Sequence, residues 1–237
     1  MKVGTDGVLL GCYVDEAIKP TTVMDIGAGT GLLALMMAQK FPSAQIDAVE
    51  IDAAAAGQAQ ENFFNSIWSS RLNMHHSSFQ TFVQTSGRQY QLIVCNPPFF
   101  KQADLAKGNN LQHPNEQRAR ARFSDHLPFS DLIKGVTQLL QSNGSFYVIL
   151  PIAEASELKQ YCFNEGLYLQ KELFVTGREG AKPNRSIMCW NKVFCENTEV
   201  STLLMYRMDT SPTDEYVHFT KDFYLWKQFD VHPGLKL

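Results

Sequence analysis

Apolar residues recur along the chain in short dense runs separated by longer stretches of helical spacing. Thr22–Ile26 reads as a buried strand, followed by strands at Gln45–Glu50, Arg71–His76, Gln91–Cys95 and Ser145–Leu150. Between them, Leu32–Phe41, Ala53–Ile67 and Leu127–Gln141 have the pattern of helices; Pro42 stops the first and Asn143-Gly144 the third. A further helix from about Ala153 and strands near Leu167–Val175, Ser186–Phe194 and Val200–Met208 complete the pattern. Strands alternating with helices at this pitch predict a mostly parallel α/β sheet with right-handed crossovers and helices on both faces. The late strands, with no helices between them, predict an antiparallel edge. No internal repeat or low-complexity tract interrupts the chain, so residues 1–237 read as a single domain. Two long polar loops are expected, near 100–125 and 176–185. Both follow the C-terminal end of a strand, where open α/β sheets bind ligands.

The first strand runs into Asp25-Ile26-Gly27-Ala28-Gly29-Thr30-Gly31, and a helix opens at once. Glycines are needed where backbone turns sharply and a ligand must approach with no Cβ in the way. A dinucleotide-binding turn reads G-x-G-x-x-G, but here the third glycine comes one residue early. The pattern D-x-G-x-G-x-G suits a ligand that needs close backbone approach and carries no pyrophosphate. Glu50 ends the next strand, where a carboxylate can accept both hydrogen bonds of a ribose diol; Asp52 is the lesser candidate. Together Asp25, Gly27, Gly29, Gly31 and Glu50 resemble the S-adenosylmethionine site of class I methyltransferases. That resemblance implies a Rossmann-like, seven-stranded sheet. It also implies that Ser78 and Phe79, after the third strand, hold the adenine ring. Taken alone, Ser78 reads equally well as a helix N-cap.

The fourth strand ends in Asn96-Pro97-Pro98-Phe99. Two consecutive prolines fix φ and remove two N–H donors. The tip is therefore stiff and presents acceptors, the Asn96 side-chain oxygen and the Pro97 carbonyl. An exocyclic amine has two N–H donors to match them, and holding both would aim its nitrogen at a methyl donor. Phe99 can stack on a planar target. No strong general base is required if the proton leaves after methyl transfer, so catalysis would rest mainly on positioning. The turn resembles the D/N/S-P-P-Y/F/W motif of amino methyltransferases, whose acceptors include adenine N6, cytosine N4, guanine N2 and glutamine amides.

Composition narrows the partners. Hydrophobic residues make up 44%, ample for a core, and a chain of this length reads as one domain. With 21 Lys+Arg against 24 Asp+Glu the net charge is −3, which argues against coating nucleic acid through bulk charge. Cys12, Cys95, Cys162, Cys189 and Cys195 are odd in number and scattered, so buried reduced thiols in a cytoplasmic protein are expected. His75 and His76 are adjacent on one strand, point to opposite faces and read as structural, so no metal site is expected. Trp68, Trp190 and Trp226 read as packing residues. No apolar run approaches the ~18 residues of a membrane span, and Met1–Gly7 lacks a signal or transit pattern.

The opening Met1-Lys2-Val3-Gly4-Thr5-Asp6-Gly7 narrows the family. Taken with Asp25–Leu35, Asp47–Glu50, Asn96–Phe99, Ala121-Arg122, Lys182-Pro183-Asn184-Arg185 and the tail Phe219–Leu225, it resembles the bacterial tRNA1(Val) (adenine-37-N6)-methyltransferase family over nearly the whole chain. The resemblance implies methyl transfer from S-adenosylmethionine to an adenine N6 of tRNA, with Lys2, Thr5 and Asp6 lying against the methyl donor. Without it, Thr5-Asp6-Gly7 reads only as a helix N-cap. Members of that family usually carry a leading aromatic and basic segment ahead of this motif; the sequence starts at the motif. No membrane or obligate protein partner is implied.

Arg118, Arg120 and Arg122 place three guanidiniums on the first long loop, near Lys101 and Lys107, and the second loop adds Arg178, Lys182 and Arg185. Arginine suits phosphate contacts through its planar donor fork. Adenine 37 lies in an anticodon loop, already unpaired, so extracting it costs less than opening a duplex. Other acceptors stay open at the level of residues, an rRNA guanine or a protein glutamine. So do a nicotinamide-dependent oxidoreductase, disfavoured by the early third glycine, and a non-catalytic RNA-binding module, disfavoured by the intact Asn-Pro-Pro-Phe turn. A basic surface confined to two loops predicts few phosphate contacts and a shallow salt dependence of RNA binding. Titrating tRNA affinity against salt checks this; a steep slope would place the basic surface elsewhere.

Overall fold

The computed structural model describes residues 4–97 and 127–226. Eight strands form one sheet: β1 (Thr22–Ile26), β2 (Gln45–Glu50), β3 (Leu72–His76), β4 (Tyr90–Cys95), β5 (Leu140–Pro151), β6 (Tyr168–Arg178), β7 (Arg185–Asn191) and β8 (Glu199–Tyr206). Their order is β3-β2-β1-β4-β5-β7-β6-β8. The first five pair in parallel, and β7 alone runs against its neighbours β5 and β6. β8 then pairs parallel with β6.

Two expectations change here. Among the described residues the sheet has eight strands, not seven, and the antiparallel strand lies inside it, because β8 extends the sheet beyond β6 with the parent polarity. The expected loop at 176–185 contracts to residues 179–184, because β6 runs on to Arg178 and β7 starts at Arg185.

Period-two alternation along the strands feeds two core layers. Val23, Leu92, Val94, Tyr147 and Ile149 face one side; Met24, Ile26, Ile93, Cys95, Phe146 and Val148 face the other. The first side is covered by α1 (Thr5–Tyr13), α2 (Leu32–Lys40), α3 (Ala53–Phe64) and α7 (Asp214–Thr220). The second is covered by α4 (Phe79–Thr85), α5 (Phe129–Leu139) and α6 (Ile152–Asn164). Beyond Thr22, β1 is buried on both faces, so Val23, Met24 and Ile26 are apolar; Asp25 among them is wholly buried.

Helix ends are secured by cations reaching across the fold. The Lys40 ammonium donates to the carbonyls of Gly11, Cys12 and Val14, closing the C-terminal end of α1. Arg71 does the same for α2 through the carbonyls of Ala38, Phe41 and Ala44. α1 lies very close on α2 because Gly7 and Gly11 form its contact face. A Cβ at Gly7 would stand 3.1 Å from Leu32, and one at Gly11 would overlap the Met36 side chain. The expected stop at Asn143-Gly144 survives as an irregularity inside β5: Tyr90 pairs with Leu140, but Leu92 pairs with Ser145.

The histidines act separately, His75 on Asp47 at 2.8 Å and His76 on the Ile51 carbonyl at 3.2 Å. The thiols of Cys95, Cys162 and Cys189 are buried, Cys12 and Cys195 are partly so, and all five are free. Trp190 is buried, while Trp68 and Trp226 pack half-buried against the core. Among the described residues no helix is long and apolar enough to cross a membrane.

Candidate active site

The glycine turn leaves β1 and is stitched at once to β2. The N–H groups of Gly27 and Ala28 both donate to the Val49 carbonyl, at 2.9 and 3.0 Å. Gly27, Gly29 and Gly31 have φ of 68°, 56° and 85°, in the left-handed region that favours glycine. At Gly31 a second constraint acts, since a Cβ there would drive into the Phe63 ring of α3. The third glycine therefore serves helix packing as well as the turn.

Glu50 bridges this turn to the next. Its Oε2 accepts the Gly29 N–H and its Oε1 the Asp52 N–H, each at 2.8 Å. A carboxylate oxygen has two lone pairs, so each keeps one acceptor direction. Asp52, the lesser candidate, is occupied as the N-cap of α3, accepting from Ala55.

Asp25 sits beneath the turn. Its Oδ2 accepts the Ala34 N–H at 3.0 Å, while its buried Oδ1 has no hydrogen-bond partner. Burial pushes its carboxyl up to about 7, the Ala34 N–H opposes the rise, and the nearby charge of Glu50 adds to it.

Beside the turn a narrow cleft is lined by Ile26, Gly27, Val49, Ile51, Ser77, Phe79, Gln80 and Leu127. Ser78 is the N-cap of α4, accepting from Thr81 N–H at 3.1 Å. The Phe79 ring is buried and meets α5 at Gly135, so it forms the cleft's inner wall. A wider groove of about 750 Å³ lies elsewhere, along the β3 edge. Its polar wall is closed on itself, with Asp47 held by His75, Arg88 and Tyr90.

Asn96 and Pro97 follow β4 directly. The Ile26–Cys95 pairing places Asn96 beside Gly27 at the C-terminal rim of the sheet. The Asn96 side-chain nitrogen lies 3.6 Å from where a Cβ of Gly7 would stand, so the first turn of α1 covers it. That helix starts at Thr5 with Gly4 as its N-cap and no side-chain cap, which differs from the expected cap at Thr5-Asp6-Gly7. Asp6 instead pairs with Arg185, Oδ2 to Nε at 2.9 Å. Nothing in the spacing signalled that contact. Arg178 donates to the Met208 carbonyl, and Lys182 is exposed in the β6–β7 turn. Lys2, Pro98, Phe99, Lys101, Arg118, Arg120 and Arg122 lie outside the described residues. Among the described residues no cluster of His, Cys, Asp and Glu could hold a metal ion.

Asp25 gives a pH signature. Its folded pKa is raised to about 7, above the ordinary ~3.9 of the unfolded chain. Its contribution to stability is therefore complete below about pH 4 and lost as pH rises through about 7. An Asp25→Asn variant carries no such charge. The melting temperature of the ligand-free variant is expected to gain on the parent between about pH 5 and about pH 8; parallel melting curves across that range would contradict the assignment.

Residues 4–113 match the family described as methyltransferase small domain. Over 228 residues the chain is 42% identical to a tRNA1(Val) (adenine(37)-N6)-methyltransferase of Flavobacterium psychrophilum, covering 95% of this chain and 93% of that one. A protein of the same name from Vibrio campbellii is 36% identical over 95% of this chain and 89% of its own. Among solved structures, a predicted O-methyltransferase from Agrobacterium tumefaciens superposes with a TM-score of 0.67 over 92% of this chain and 96% of its own. At 16% identity that likeness speaks for the fold alone. Near-full-length identity of this order leaves one conclusion: the chain belongs to the tRNA1(Val) (adenine(37)-N6)-methyltransferase family.

Proposed function

We propose that this protein transfers a methyl group from S-adenosylmethionine to the exocyclic N6 of adenine 37 in tRNA1(Val), acting in the cytoplasm as a single domain. The observation that carries the reading is the placement of Asn96 and Pro97 beside the Gly27–Gly31 turn, on one rim of the sheet. The residues present fit the methyl donor. The turn has backbone open to close approach, Glu50 keeps one acceptor direction on each oxygen for a ribose diol, and a narrow cleft with both apolar and polar lining lies beside it at Phe79. When bound, the donor supplies an electrophilic methyl on a sulfonium.

The protein's own part is positional. The Asn96 side-chain oxygen and the Pro97 carbonyl accept the two N–H donors of the adenine amine. This draws the amine out of the ring plane and aims its lone pair at the methyl carbon. Held so, the amine would be placed for in-line attack on the methyl, with the sulfonium sulfur as the leaving group when the donor is bound. Positive charge then develops on nitrogen beside two acceptor oxygens, which stabilise it more than the neutral ground state. The proton leaves to solvent afterwards. Phe99 is the ring proposed to stack on the base, and Lys2 and Thr5 are the proposed donor contacts. Lys101, Arg118, Arg120, Arg122, Arg178 and Lys182 supply phosphate contacts around the anticodon loop.

Asn96→Ala removes one acceptor. Turnover is expected to fall by about 10²–10³-fold, while calorimetric affinity for S-adenosylmethionine stays close to the parent's. Parent-like turnover in that variant would overturn the mechanism.

A further inference from the structure

α1 is secured at both ends by single cations from distant parts of the chain. At its C-terminal end Lys40 donates to three carbonyls. At its N-terminal end no side chain caps the helix, and the pair between Asp6 and Arg185 stands there instead. Both side chains of that pair are largely buried, 23% and 29% exposed, so water screens it less than a surface pair. Asp6 lies in the first turn, where a helix favours an anion. Arg185 is in turn fixed by the sheet. It opens β7, pairs in register with Pro151 of β5 and Val175 of β6, and donates to the Asn184 carbonyl at 3.0 Å.

The residue after Asp6 is Gly7, where a Cβ would stand 3.1 Å from Leu32 at the start of α2 and 3.6 Å from the Asn96 amide nitrogen, so this turn lies beside both. A rigid sheet strand is thus linked through one ion pair to the helical turn that covers the acceptor-holding side chain. We infer that Arg185 is a positioning residue for methyl transfer: through Asp6 it holds the first turn of α1 against Asn96. This reassigns Arg185 from the RNA phosphates and Asp6 from direct contact with the methyl donor, and it rests on the functional reading above.

A double-mutant cycle tests it, using Asp6→Asn, Arg185→Gln and the double variant, with Arg185→Lys to restore the charge alone. Each single variant should lower kcat on tRNA by about ten- to a hundredfold. The double variant should be no worse than either single one, KM for tRNA should stay unchanged, and Arg185→Lys should recover part of the loss. Hydrogen exchange at residues 5–10 should quicken in both single variants, a readout that needs no activity. Additive losses would overturn the inference. So would a raised KM for tRNA in Arg185→Gln alone, or unchanged exchange in α1. A parent protein that exchanges as expected but puts no methyl on tRNA would refute the functional reading and leave the exchange result to judge the latch.

Discussion

The Glu50 carboxylate is the constraint on which the site's geometry turns. With one oxygen on the Gly29 N–H and the other on the Asp52 N–H, it locks the turn after β1 to the turn after β2. Bonds from N–H groups to a charged acceptor are stronger than neutral ones, and this one is only 8% exposed. The glycines it organises could not hold their left-handed backbone as other residues without strain. The arrangement leaves the outer lone pairs of Glu50 directed away from the protein donors. It also sets a negative charge near buried Asp25, one of the causes that raises the latter's pKa.

From that junction the rest of the rim follows. Parallel pairing brings β4 alongside β1 in register, so the residue after Cys95 arrives beside the residue after Ile26. The placement of Asn96 and Pro97 then matters because its neighbour is fixed. α1 closes the arrangement from above. It gets there because Gly7 and Gly11 let two helices approach where larger residues would collide.

Much of this was legible in the residues. The five parallel strands and the helices between them are marked by period-two and helical spacing, and the two chemical motifs lie at strand ends where an α/β sheet exposes them. What escaped was tertiary. α7 carried a readable signal, Thr213 capping a first turn with Asp214 and Glu215, but its pattern is short. β8 read as a strand, yet its parallel seat beyond β6 depends on a crossover that no local pattern encodes. By resemblance Phe79 reads as an adenine neighbour; in the structure it is a core residue whose ring also walls the cleft. The Asp6–Arg185 pair joins residues 179 positions apart, and sequence spacing holds no trace of it.

The net charge of −3 also takes a more local meaning. One of the basic residues described in the β6–β7 region, Arg185, is already paired within the protein, with Asp6. The basic surface left for RNA is smaller than the count of cations suggests, which fits recognition of one loop by shape and a single extruded base. The most direct measurement is transfer of a labelled methyl group to unmodified tRNA, followed by nuclease digestion and mass mapping. The account predicts N6-methyladenosine at position 37 of tRNA1(Val) and nowhere else; label on guanine, cytosine or protein, or none at all, would contradict it.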